Sequence, residues 1–202
     1  MNTKLVFITI LAFVLCLGLP VTAHAATNSI TLKLQAGHNF VTPGLDSPTT
    51  FTAKSLCKNL NVKEIRSLSN SPTTAVWTTY NCKTGGKDFG FKSEYGYMVT
   101  TSMATSVTFQ GTNDGKFTHP PLLGWNSYGI YYVKEALAGT MKASWLCGPN
   151  TDNDLVITEV QRWKNGTWDG YLCNDYNPSW PGTLNNFELK ATEGYLVRAK
   201  KL

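Results

Sequence analysis

Two stretches of this chain space tryptophan, tyrosine and cysteine identically: Trp77-Thr78-Thr79-Tyr80-Asn81-Cys82 and Trp168-Asp169-Gly170-Tyr171-Leu172-Cys173. Five further matches keep the same order around this W-x-x-Y-x-C pattern. Gly37-His38-Asn39 answers Gly124-Trp125-Asn126, Leu56-Cys57 answers Leu146-Cys147, and Glu64-Ile65 answers Glu159-Val160. Phe89 answers Phe187, and Gly96-Tyr97-Met98-Val99 answers Gly194-Tyr195-Leu196-Val197. Each copy is about 80 residues, too long for a solenoid unit and suited to a small domain. The repeat therefore divides residues 26–110 and 117–202 into two modules, joined by a turn-forming stretch at 111–116.

Residues 1–25 read as a secretory signal: Lys4, an apolar run over 5–19, Pro20, then Ala23-His24-Ala25 before the cleavage point. The run is about 15 residues, short of the roughly 20 that a spanning helix needs. No other segment could span a bilayer, so no integral membrane segment is expected after cleavage. Removing the signal takes Lys4 and Cys16 with it, lowering the net charge from +5 to +4 and leaving Cys57, Cys82, Cys147 and Cys173. An even number of cysteines in an exported chain implies a disulfide framework. The repeat pairs them by symmetry, Cys57 with Cys82 and Cys147 with Cys173, one bridge per module. With no C-x-x-C spacing, a four-cysteine metal site is disfavoured.

The local pattern is mostly β. Ile30, Leu32 and Leu34 alternate with Thr31, Lys33 and Gln35, the period of a half-buried strand. Residues 76–80 and 95–101 are aromatic and β-branched, and 155–162 reads as a further strand. One short helix is expected at 52–60, capped by Thr52 with Leu56 and Leu60 on one face, and its counterpart at 140–146. The expected fold class is thus mainly β, a β-rich α+β arrangement of two tandem homologous modules. Each is a small sheet or barrel with one short helix and one disulfide.

A leading strand, Gly-Trp-Asn, a Cys-bearing helix, W-x-x-Y-x-C, Asn-Asp-Phe-like and Gly-Tyr-Val elements together resemble the tandem Gly-Trp-Asn modules of bacterial secreted and cell-surface proteins. His38 stands where the first copy would carry the Trp, and the second copy has two prolines in place of a clear leading strand. The resemblance implies an accessory extracellular domain and supplies no catalytic residue set.

Catalytic constellations are scarce. His38 stands opposite Trp125 in the repeat, which suits a surface role, and His119 precedes Pro120-Pro121. No G-x-S-x-G, H-E-x-x-H or phosphate-cradling glycine loop occurs, and catalytic dyads need a His held by a second polar group. Glu64 and Glu159 recur in both copies as strand-face carboxylates rather than as a glycosidase pair. Asn150-Thr151-Asp152-Asn153-Asp154 alternates oxygen ligands but lacks the glycine and distal Glu of a calcium loop. The basic residues are dispersed, against nucleic-acid binding. No cofactor is expected.

Aromatics give the binding candidates. Trp77 with Trp168, Tyr80 with Tyr171 and Tyr97 with Tyr195 are shared by the copies and read as core packing. Trp125, Trp145, Trp163 and Trp180 belong to the second copy alone. That copy also spaces its Trp and Phe seven residues further apart, placing an insertion at 174–182 that carries Tyr176 and Trp180. Tyr176, Trp180, Trp125 and Trp163 are the candidate ligand-binding residues, since aromatic platforms beside polar groups suit a sugar ring or a protein hot spot. The sequence thus points to an exported binding or adhesion protein at the bacterial surface, secreted, or periplasmic in a Gram-negative cell. Its expected partner is a surface polysaccharide or a protein. A carbohydrate-binding protein is the first alternative, and a secreted enzyme or inhibitor the second.

Overall fold

The computed structural model describes residues 28–45, 51–69, 76–111, 120–130, 140–150, 154–173 and 185–202. The expected signal at 1–25, linker residues 112–116, His119, the centre of the acidic stretch at 151–153, and the insertion with Tyr176 and Trp180 lie outside them. The first part of the chain runs β1 (Asn28–Leu34), β2 (Gly37–Val41), α1 (Ala53–Leu56), β3 (Val62–Ser69), β4 (Val76–Asn81), β5 (Gly85–Gly86), β6 (Tyr97–Thr101) and β7 (Thr105–Gly111). The second runs β8 (Gly124–Gly129), a 3-10 helix (Ala143–Leu146), β9 (Gly148–Asn150), β10 (Leu155–Lys164), β11 (Thr167–Leu172) and β12 (Gly194–Lys201). The protein is mainly β, and its described residues form two five-stranded sheets and a separate ribbon.

Alternation decides what each strand buries. In β1, Leu32 and Leu34 are buried while Thr31 and Lys33 are exposed. Its partner β7 sets Phe109 opposite Ile30 and Val107 opposite Leu32, and this ribbon covers the first core with Ile65, Val99 and Phe91. Gly111, expected to open the turn-forming stretch, is instead the last residue of β7. A second core gathers Tyr128, Ile157, Val160, Leu189, Tyr195 and Val197.

The two sheets share one plan. Their strand orders are β2-β6-β3-β4-β5 and β11-β10-β12-β8, so each first strand lies beside each last one, followed by the two middle strands. Both carry a register shift at the same point, between Val62 and Glu64 and between Ile157 and Glu159. Gly37 and Gly124 adopt φ of 94° and 93°, a region open to glycine, and so turn the chain into β2 and β8. Two residues on, Asn39 and Asn126 clasp the incoming backbone alike. Asn39 Oδ1 accepts from Gln35 N at 2.8 Å and its Nδ2 donates to Gln35 O at 2.9 Å; Asn126 repeats both with Leu122, at 2.8 and 2.6 Å. Tyr97 stacks on Phe89 as Tyr195 does on Phe187, each pair 6.1 Å apart. Each hydroxyl accepts from a loop amide, Lys92 N at 2.8 Å and Lys190 N at 2.7 Å.

The helices are shorter than the sequence suggests. Thr52 does cap α1 through a capping box with Ser55, but the helix stops at Leu56. Asn59 ends it by folding its side-chain oxygen onto Asn61 N at 3.1 Å while its carbonyl takes Val62 N. Leu60 therefore leaves the expected apolar face and is 87% exposed. In the second half Lys142 is extended and bridges Glu188, and a four-residue 3-10 helix follows before Gly148-Pro149. In both halves the element is tied to the sheet by the pairing the repeat implies, Cys57–Cys82 and Cys147–Cys173. Loops of 25 and 26 residues give about 3 to 4 kcal/mol per bridge by chain entropy.

The sheets meet through the faces turned away from their cores, β2 against β10 and β12, and β8 against β3. Backbone bonds cross the seam in a reciprocal way: Thr42 N donates to Thr192 O at 3.3 Å and Gly129 N to Glu94 O at 2.8 Å, equivalent positions in the two halves. Gly96 and Gly194 face each other there. A Cβ on Gly194 would stand 2.9 Å from the Gly96 Cα and 3.1 Å from the Phe40 ring.

Two consequences can be measured. Gly194→Ala must push the sheets apart, costing about 1 to 3 kcal/mol as a lowered urea midpoint at unchanged m. Burial raises the hydroxyls of Tyr97, Tyr128 and Tyr195 above their ordinary value of 10.0. Above pH 10 the unfolded chain sheds protons that the folded one keeps, so stability falls as pH climbs beyond that point. Tyr195→Phe should flatten that fall in urea titrations at pH 8 and pH 10.5.

Candidate functional site

Along a strand, side chains alternate between faces, so residues three apart point to opposite sides. In W-x-x-Y-x-C this sends Tyr80 and Cys82 to the first core and Tyr171 and Cys173 to the second. Trp77 and Trp168 are left on the other face. Reading this Trp pair as core packing is therefore incorrect: both are half-buried, belong to neither core, and come together at the seam.

There the rings form a series of edge-to-face contacts. His38 meets Trp163 at 6.0 Å, Trp163 meets Trp168 at 5.1 Å, Trp168 meets Phe40 at 5.4 Å and Phe40 meets Trp77 at 6.2 Å, with planes inclined by 74° to 79°. Each such pair contributes about 0.5 to 1.5 kcal/mol beyond its area and fixes the orientation of its neighbours. Phe40 is buried between the halves, so the rings around it are positioned before any ligand arrives.

The β10–β11 hairpin delivers two of these rings. Asn165 and Gly166 have φ of 52° and 82°, both positive, as a two-residue turn matching the twist of its strands requires. Lys164 and Thr167 close the hairpin and Trp163 faces Trp168 in the next register pair. The Trp163 indole N–H donates to the His38 backbone oxygen at 2.9 Å, joining the hairpin of one half to β2 of the other. The His38 ring is anchored by Nδ1 to Thr100 Oγ1 at 2.8 Å.

These rings enclose a hollow of about 220 Å³ lined by His38, Arg66, Trp77, Met98, Trp163 and Trp168. It needs both halves, since the first supplies His38, Arg66, Trp77 and Met98 and the second Trp163 and Trp168. Arg66 donates through Nε to Glu64 at 2.5 Å, a pair whose counterpart is Gln161 with Glu159 at 2.6 Å, so the rim carries a part-exposed guanidinium. Beyond the His38–Trp163 pair a larger cleft of about 660 Å³ opens, with Gln35, Lys33, Lys164, Asn165 and Glu193 among its walls.

Of the four aromatic candidates from the sequence, Trp163 lies in the hollow. Trp125 lies outside both hollow and cleft, on β8, which ends its sheet among the described residues, with the Arg198 guanidinium 5.7 Å from its ring. Tyr176 and Trp180 fall outside the described residues. Sequence reasoning missed Trp77, Trp168, Arg66 and Met98; the odd spacing of Trp and Tyr was the signal that could have found the first two. Among the described residues no group of three His, Cys, Asp or Glu could hold a metal ion, and no helix is long and apolar enough to cross a membrane. Two disulfides suit an oxidising, extracellular type of environment.

No family model matches the chain, and no curated protein or solved structure matches it.

Trp163→Phe keeps a ring in the hollow but leaves the His38 carbonyl without its indole donor. The expected cost is about 1 kcal/mol, read as a shift in the urea midpoint with far-UV circular dichroism unchanged.

Proposed function

We propose that the protein is a non-catalytic exported binding or adhesion protein, built from two tandem related modules, that holds one ring-sized unit of a surface polysaccharide in the hollow at its seam. The observation that carries this reading is the convergence of Trp77, Trp163 and Trp168, from both halves, around a hollow rimmed by Arg66. Indole faces offer the apolar side of a sugar ring a flat partner, and a guanidinium fork beside them bonds its hydroxyls. A volume of about 220 Å³ is below that of the usual drug-sized pocket, so a single ring fits it better than a bulky cofactor. The leading apolar run, the two bridges and the resemblance to tandem Gly-Trp-Asn modules all favour work outside the cytoplasm, in the extracellular space or at the bacterial surface. A protein side chain inserted into the same hollow is the second reading, favoured by the preformed ring series, which is what an interface anchor meets.

Titration of tryptophan emission with a panel of bacterial surface polysaccharides and their oligosaccharides tests the proposal. Emission should change saturably with at least one glycan. Trp77→Ala and, as a milder change, Arg66→Gln should each weaken that binding by about tenfold or more while circular dichroism stays native. Trp180→Ala should leave it intact. Unaltered emission across the panel, or binding lost with Trp180→Ala alone, removes the hollow from consideration.

A further inference from the structure

The two bridges differ in their surroundings although they occupy equivalent places. Cys57 and Cys82 pack on the first core but are both only half-buried, and both line an open groove of about 490 Å³ together with Leu60, Lys63, Asn81 and Lys83. Cys147 is also half-buried, but its partner Cys173 is only 2% exposed and belongs to the second core beside Tyr128, Ile157 and Val160. Thiol–disulfide exchange needs access to one sulfur and a tolerable site for the thiolate expelled from the other. The first bridge meets both conditions and the second fails one whichever sulfur is attacked. Attack on Cys173 is blocked by the core, and attack on Cys147 would expel a thiolate into apolar surroundings, which raise its pKa and make it a poor leaving group.

We propose that Cys57–Cys82 is a thiol-exchange site, open in the folded protein to a dithiol reductant or a dithiol-bearing oxidoreductase, while Cys147–Cys173 is a permanent structural bridge. The external thiolate attacks Cys57 Sγ along the S–S axis, forming a mixed disulfide and breaking the Cys57–Cys82 bond. The electron pair leaves on Cys82, which lies between Lys83 and the strand residue Lys63, whose carbonyl accepts the Cys82 amide at 2.9 Å. Both lysines line the groove, Lys63 with its ammonium 3.5 Å from the Leu60 carbonyl, and a cation at the groove favours the thiolate until it takes a proton from water. The reagent's second thiol then displaces Cys57, so the dithiol is oxidised to a disulfide and the protein bridge is reduced to two thiols. Reduction releases the short helix α1 from the end of β4, the strand that carries Trp77. Exchange at this groove would therefore loosen one wall of the seam hollow and leave the other, on β11, fixed.

The chemistry can be tested without any ligand. The folded protein is exposed to dithiothreitol, alkylated at intervals and digested, and labelling of the peptides bearing each cysteine is followed by mass spectrometry. Cys57 and Cys82 should be labelled at least about tenfold faster than Cys147 and Cys173. Lys63→Gln combined with Lys83→Gln should slow the first bridge severalfold and leave the second unchanged. Equal rates, the reverse order, or labelling of both bridges only in step with global unfolding measured in the same solution would overturn the proposal. Because the readout is peptide labelling, its failure leaves the binding reading of the hollow untouched, and a silent glycan panel leaves the exchange site untouched.

Discussion

The distance between the two sheets is set where Gly96 and Gly194 approach without side chains. Any Cβ on either would fall within about 3 Å of the opposite backbone, closer than carbon atoms tolerate. Around that contact the seam can close: Phe40 lays its ring against both glycines, and Ser127 accepts from Gly96 N at 2.9 Å and donates to Gly96 O at 2.8 Å. Only at this separation can Trp163 of one half reach the His38 carbonyl of the other. The ring series and the hollow it encloses are therefore a product of the close approach, more than of either half alone.

The two halves agree most where the chain must solve a local problem. Entry into β2 and β8, the stacked Tyr on Phe, the bulge and the bridge are repeated down to individual hydrogen bonds, because each is dictated by the residues immediately involved. They diverge where a face meets something different. Leu68 stands opposite Trp77 in the first sheet, whereas Trp163 stands opposite Trp168 in the second. That single difference in residue type gives the seam two adjacent indoles on one side and makes the hollow asymmetric.

Much of the fold was legible from the chain. The order of the six matches carried the cysteine pairing, and local patterning marked β1, β4, β6 and β10 as strands, but the order of the strands in each sheet was not legible. Thr52 announced the start of α1; its end was harder, because Asn59 competes for the backbone in a way that a run of Leu56 and Leu60 disguises. The site was less legible. That Trp77 and Trp168 turn away from Tyr80 and Tyr171 follows from parity alone, but that the two outward faces meet each other depends on Gly96, Gly194 and Phe40 fitting together across about a hundred residues of chain. Nothing in the neighbourhood of Arg66 or Met98 marks them as rim residues before that docking is known.

The positions of Phe40 and Ser127 carry a further consequence. They are equivalent in the two sheets, and both lie beside the Gly96 contact, where one ring fills the available space and one hydroxyl bonds the backbone. Two first halves brought together would force a pair of phenyl rings into room for one; two second halves would leave that room empty and the carbonyls around it facing two small hydroxyls. Equivalent positions in the two sheets thus do different work at one contact: Phe40 fills the space beside the two glycines, and Ser127 bonds the Gly96 backbone.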